Sequence, residues 1–103
     1  MSKRKKELPV EWDINEKERF KELIQEIKKR SVFLAQRIKD GIEQKLNHVK
    51  QYPEIFEADA LKIGNDGSYR KFTVIHIRLV YKIDPDKIII ARVRHSASEP
   101  VEY

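Results

Sequence analysis

The chain contains no cysteine. That excludes disulfides, thiolate metal sites and cysteine nucleophiles. It has only three glycines, none arranged as a phosphate-cradling loop or a dinucleotide-binding turn. No nucleophile elbow or zinc-protease motif is present. The three histidines, His48, His76 and His95, lack metal-ligand spacing, so neither a metal nor a cofactor is expected. No apolar run approaches the roughly 18–20 residues that span a bilayer. The N-terminal Met1-Ser2-Lys3-Arg4-Lys5-Lys6-Glu7 is basic but leads into no long apolar segment. It therefore does not read as a secretory signal, and the cytoplasm is the default compartment.

What the chain does have is charge. Asp, Glu, Lys and Arg make up 38% of its 103 residues, with a net charge of +5. A basic balance favours a polyanionic partner, either nucleic acid or an acidic protein. The length suits a single domain with one modest core. Residues 1–7 read as a disordered basic tail and residues 8–103 as that domain.

Val10, Trp12 and Ile14 alternate with Glu11 and Asp13, the pattern of a short strand with one buried face. Asn15 followed by Glu18 reads as a capping box opening a helix. Phe20, Leu23, Ile24 and Ile27 recur at helical spacing. Glu16 and Glu18 sit in the first turn of that helix and Lys28, Lys29 and Arg30 in its last, which suits the helix dipole. A second stripe runs through Leu34, Ala35, Ile38, Ile42, Leu46 and Val49. Its phase nearly continues the first, leaving one long helix as an alternative to two. Ser31 favours a break, because serine is a good N-cap and Val32 and Phe33 fall off the stripe. Tyr52-Pro53 ends the second helix. Asn65-Asp66-Gly67 marks a turn, and from Tyr69 onward β-branched and aromatic residues dominate. The order β, α, α, then several strands predicts an α+β fold, two helices on one face of a small sheet.

The last hairpin carries the charge. Ile77, Leu79, Tyr81 and Ile83 share one face of its first strand, with Arg78, Val80 and Lys82 on the other. In the second strand Ile89, Ala91 and Val93 share a face, with Arg92 and Arg94 opposite. Matching the apolar faces sets Leu79 opposite Val93 and Tyr81 opposite Ala91, closed by a three-residue loop, Pro85 to Lys87. That register also sets Arg78 opposite Arg94. Like charges directly across a strand pair are unfavourable, so the pair is expected to share an anion. The bland reading is a solvated basic face whose arginines splay apart or pair with glutamates elsewhere.

The stretch Arg78-Leu79-Val80-Tyr81-Lys82-Ile83, with Tyr69-Arg70-Lys71-Phe72 before it and Ile90-Ala91-Arg92-Val93-Arg94-His95 after it, resembles the C-terminal half of RelE/ParE toxins. Val10-Glu11-Trp12 resembles the family's first strand and Tyr52-Pro53-Glu54-Ile55 its post-helix proline motif. His95-Ser96-Ala97-Ser98-Glu99-Pro100 resembles its short tail. The resemblance covers residues 8–103. It implies a β-α-α-β-β-β fold with a helical hairpin packed on a small antiparallel sheet, a tight turn near Ile75–Ile77, and neutralisation by an antitoxin protein that wraps around the toxin.

Two mechanisms follow from the resemblance. The first expectation is ribosome-dependent cleavage of messenger RNA, a metal-independent endoribonuclease activity; the alternative is non-enzymatic, ParE-like inhibition of DNA gyrase. For cleavage, Arg78 matches the arginine that stabilises charge on the scissile phosphate. Arg70 matches one of two lysines on the preceding strand, and the second position falls at Phe72. Arg94 or His95 stands near the family's basic general acid, and Tyr103 resembles a C-terminal catalytic tyrosine. Arg70, Arg78, Arg94 and His95 are expected to converge on one sheet face. Lys62, Lys71, Lys82 and Arg92 are the expected RNA-binding cations. No residue matches the general base of some relatives; Glu57 stands in by proximity alone. The Arg92-Val93-Arg94-His95 ending is as ParE-like as it is RelE-like.

Overall fold

The structure, a computed structural model, describes residues 7–98 and 101–103. The tail expected at residues 1–7 therefore lies, up to Lys6, outside the described residues, as do Glu99 and Pro100. Strand β1 (Val10–Trp12) leads into helix α1 (Ile14–Arg30) and helix α2 (Val32–Gln51). Strands β2 (Tyr69–Val74), β3 (Ile77–Ile83) and β4 (Ile88–His95) follow, and one 3₁₀ turn spans Ser96–Ser98. This is the expected β-α-α-β-β-β order.

Ser31 does break the helices. Its backbone N–H closes α1 on the Ile27 carbonyl, and its hydroxyl accepts from the Leu34 amide at 3.0 Å to open α2. One residue thus caps two helices. The N-cap of α1 differs from expectation. Asp13, not Asn15, does the capping, with Oδ1 accepting from the Asn15 and Glu16 amides at 2.9 and 3.1 Å. A carboxylate at the helix start satisfies two otherwise orphaned donors. Ile14, which alternation places with the strand, consequently becomes an exposed first-turn residue.

The sheet order is β1-β4-β3-β2. β2 pairs antiparallel with β3 and β3 with β4, but β1 pairs parallel with β4, so the sheet is mixed rather than wholly antiparallel. Parallel neighbours need a long crossover, and here both helices and the β2–β3 hairpin lie between them. Leu79 faces Val93 and Arg78 faces Arg94, as expected. Beyond Val80 a bulge shifts the register, so Tyr81 faces Ile90 instead of Ala91, and Ile83 faces Ile88 across a four-residue loop, 84–87. The extra residue inverts the alternation of β4. Ile88, Ile90 and Val93 are therefore the buried side chains, while Ile89 and Ala91 are only half-buried.

The core joins Ile24, Ile38, Ile42, Leu46 and Val49 of the helices to Phe72, Leu79, Tyr81, Ile90 and Val93 of the sheet. Burial pushes the Tyr81 phenol up to about 12, and its hydroxyl donates to the Pro53 carbonyl at 2.7 Å. That bond fixes the end of α2 to the sheet. Gly41 lets α2 approach β2 closely: a Cβ there would stand 2.7 Å from Val74 Cγ1. Gly41→Ala should gain about 1 kcal/mol of helix propensity but lose about 1–3 to overpacking. A net fall in Tm of several degrees in a thermal melt is expected, and a Tm at or above wild type would refute the close-contact account.

The β2–β3 turn, Ile75-His76, holds both residues at positive φ, 41° and 68°. A two-residue hairpin turn of this kind is ordinarily made of Asn-Gly. A β-branched isoleucine there is strained.

Candidate functional site

Tyr69, Lys71 and Thr73 of β2 lie on the same face as Arg78, Val80 and Lys82 of β3 and Arg92 and Arg94 of β4. The helices cover the opposite face, and two irregular segments fold over this one. The first, residues 57–63, runs along the free edge of β2: Lys71 N–H donates to the Glu57 carbonyl and Asp59 N–H to the Tyr69 carbonyl. The second is the C-terminus, held by Tyr103 N–H to the Leu61 carbonyl at 3.0 Å and Ile63 N–H to the Tyr103 carbonyl at 2.6 Å.

These segments bring Asp59 and Tyr103 to Arg78. The Asp59 side chain is 0% exposed and that of Arg78 9%. Arg78 Nη2 donates to Asp59 Oδ1 and Nη1 to Oδ2. The Tyr103 hydroxyl donates to the same Oδ2 at 2.5 Å, and the Leu61 amide to Oδ1 at 3.1 Å. Burial acts to raise the Asp59 carboxyl, but these donors outweigh it and hold it below its ordinary value of 3.8. Burial and the bond to Asp59 both push the Tyr103 phenol up. A phenol so placed is a poor source of protons at neutral pH.

Around this cluster cations alternate with aromatic rings. Lys62 Nζ stands 5.0 Å from the Tyr69 ring centroid and 5.4 Å from that of Tyr103. Lys82 reaches Tyr69 at 5.8 Å, and Arg92 lies over Tyr103 at 4.5 Å. Lys71 is drawn aside to Glu57 at 2.7 Å. That contact also lowers the Glu57 carboxyl, through the hydrogen bond first and the charge second. A lowered carboxyl is the wrong direction for a general base working near neutrality.

The four residues expected to converge on one face do not. Arg70 alternates onto the helix-covered side, where it donates to the carbonyls of Gly67 and Phe56 at 3.1 and 2.9 Å. It cross-links the loop before β2. His95 also lies on that side, lining a small cavity with Leu23, Ile27 and Arg30. Its Nδ1 accepts from the Ala97 amide at 3.1 Å. Arg94 starts on the Arg78 face but turns round the sheet edge to Glu16 Oε1 at 2.6 Å. Arg78 and Arg94 thus share no anion; each has its own carboxylate. Of the five residues considered for catalysis, the structure brings together only Arg78 and Tyr103.

Two residues central to this arrangement, Asp59 and Glu16, carry no sequence signal as site residues. Asp59 lies in Glu57-Ala58-Asp59-Ala60, without periodicity or turn chemistry to distinguish it. The only hint is Arg78 itself, an arginine inside the apolar run Ile77–Tyr81, which needs a buried counter-ion. Among the described residues no group of three or more His, Asp or Glu side chains is placed to hold a metal ion, and no helix is long and apolar enough to cross a membrane.

Comparison with curated proteins gave no match. Residues 10–100, however, match the family model for the ParE toxin of type II toxin-antitoxin systems, parDE. That span begins with β1 and takes in every strand and both helices. With the observed element order, it makes the chain a member of the ParE toxin family of type II toxin–antitoxin systems.

Proposed function

We propose that this toxin arrests growth by binding a protein target, DNA gyrase, and not by cutting RNA. The observation that carries this reading is the burial of Arg78 against Asp59. A nuclease arginine must reach the scissile phosphate as charge develops there, whereas this guanidinium is committed to an internal carboxylate. Arg70 and Arg94 are likewise held by loop carbonyls and by Glu16, and Glu57 is shifted the wrong way for a base.

Purified toxin is expected to block supercoiling by gyrase while reporter messages in a translation extract stay intact. The variant Asp59→Asn/Arg78→Met removes the ion pair but keeps an acceptor for the Leu61 amide, and it should remain toxic. Normal supercoiling at saturating toxin, together with cleaved messages, would overturn the reading. A second reading, messenger cleavage, draws on the meeting of Arg78 with Tyr103 and on the aromatic-flanked cations Lys62, Lys82 and Arg92. On that reading the double variant would lose toxicity while staying folded.

Family membership implies a cognate antitoxin. Its wrapping segment fits the cleft of about 330 Å³ floored by Trp12, Phe20, Ile42 and Leu46 and edged by Lys39 and Lys50 against the single carboxylate of Glu43. β1, an edge strand of the sheet, borders that cleft. The lysines suit the acidic character expected of such a segment.

A further inference from the structure

The tip where the two helices meet has no task in the core, yet it carries a fully formed aromatic side chain in solvent. Phe33 is 73% exposed and Val32 63%. Both lie in the first turn of α2, directly after Ser31. Natural surfaces scatter single apolar residues freely; adjacent bulky ones within a ring of charge mark contact sites more often. The ring here is basic. Lys28, Lys29 and Arg30 close α1, and Arg37 lies 5.8 Å from the Phe33 ring centroid. Lys29 is paired with Glu26 at 3.0 Å, whereas Lys28 and Arg30 form no ion pair among the described residues.

A second observation concerns the same end of the molecule. Arg30 shares a small cavity with His95, and the His95 ring stacks near His76 at 6.2 Å between centroids. His76 belongs to the strained Ile75-His76 turn, both of whose residues have positive φ. Strained backbone of this kind tends to persist where function holds it. The tip is also stiff, because Ser31 closes one helix and opens the next. A rigid aromatic beside an arginine is the composition of an interface hot spot.

We infer that the helix-hairpin tip, Val32 and Phe33 ringed by Lys28, Lys29, Arg30 and Arg37, inserts into an acidic, apolar-floored pocket on the toxin's protein target. The shape separates this occupant from the antitoxin. A convex tip enters a concave partner, whereas a wrapping segment lies in a groove. Along α2 the cleft begins at Lys39, about 9 Å from Phe33, and runs on to Lys50, about 25 Å away at about 1.5 Å per residue, so it leads away from the tip without including it. The charge fixes the sign of the pocket, since cations around the apolar pair complement carboxylates and repel a basic surface. Naming gyrase as the probe rests on the function proposed above; the tip itself does not depend on it.

The test uses the whole toxin with Val32→Ser/Phe33→Ser, and separately with Lys28→Glu/Arg30→Glu. All four positions are surface ones, so circular dichroism should match the wild type; melting should match in Val32→Ser/Phe33→Ser and fall by a few degrees in Lys28→Glu/Arg30→Glu, whose new carboxylates oppose the dipole at the end of α1. Growth arrest on induction, inhibition of purified gyrase, affinity for the cognate antitoxin and gel shift of duplex DNA are then compared. Each variant should lose at least tenfold in inhibitory potency, as expected for a hot spot, and keep antitoxin affinity within about threefold. Unchanged potency would overturn the inference. So would a parallel loss of antitoxin affinity, which would assign the tip to the antitoxin. Wild-type binding of duplex DNA alone that the variants lose would make the tip a nucleic-acid wedge, also against the inference. If the wild type arrests growth but leaves supercoiling intact, the gyrase reading fails and the growth assay alone decides the tip. A wild type that does neither overturns both.

Discussion

Asp59→Ala is expected to lower the unfolding free energy by about 3–5 kcal/mol, a large part of the roughly 5–15 available to a small domain. The reason is what it leaves behind. Arg78 remains 9% exposed with its carboxylate removed, and the Tyr103 hydroxyl and Leu61 amide lose their acceptor. A buried, uncompensated charge is far more costly than a buried pair. Arg78→Ala should cost a comparable amount by stranding Asp59. Loss of toxicity in Arg78→Ala would therefore report unfolding as readily as lost chemistry.

The pair-neutral Asp59→Asn/Arg78→Met should recover most of that loss, because replacing a buried ion pair by groups of similar volume is often near neutral. Urea unfolding of the wild type, Asp59→Asn, Arg78→Met and the double would give the coupling energy directly. Asp59→Ala within about 1 kcal/mol of wild type would dismiss the ion pair as a structural clamp. The pH dependence has a definite sign. The folded Asp59 carboxyl lies below its ordinary 3.8, so its contribution is complete above that value and is lost as pH falls through the folded value. Acid unfolding below about pH 4 should thus be shallower in the double variant, where the group is gone.

The sequence showed what repeats and hid what pairs at a distance. The stripes of α1 and α2, the break at Ser31 and the end at Tyr52-Pro53 were legible because helical spacing and capping act within a few residues. The Leu79–Val93 register followed from matching apolar faces. The bulge beyond Val80 was not legible: Ile88, Ile89 and Ile90 are all apolar, so the run offers no alternation to show which of them turns inward. The two carboxylates were hidden for another reason. Asp59 meets Arg78 across 19 residues and Glu16 meets Arg94 across 78; no local pattern encodes such a meeting. The cross-strand arginines do need anions, as their facing register implies, but those anions are internal.

Glu16→Ala should be the most damaging polar change outside the Asp59–Arg78 pair, at about 2–4 kcal/mol, because of where β1 stops. β1 ends at Trp12, and Asp13 makes the last backbone contact, donating to the Ile90 carbonyl at 3.1 Å. β4 continues to His95 without β1 beside it. The amide left to satisfy on that edge belongs to Val93, which is fully buried. Glu16, in the first turn of α1, supplies the missing acceptor: its Oε1 takes the Val93 amide at 2.7 Å and Arg94 Nη1 at 2.6 Å. One side chain thus replaces a strand's carbonyl and neutralises an arginine. Alanine would leave the Val93 donor unsatisfied, at about 1–3 kcal/mol, and remove the partner of Arg94 as well. Glutamine keeps an acceptor for Val93 while losing the charge, so Glu16→Gln should cost about half as much. Equilibrium unfolding gives the totals, and hydrogen exchange at the Val93 amide separates the causes. If that amide stays protected in Glu16→Gln and loses protection in Glu16→Ala, the carboxylate works chiefly as a strand substitute. If both variants lose equal stability with the amide still protected, the ion pair with Arg94 carries the effect. A Glu16→Ala variant as stable as wild type would mean that Glu16 holds neither group, and Arg94 would then regain its claim to an external anion.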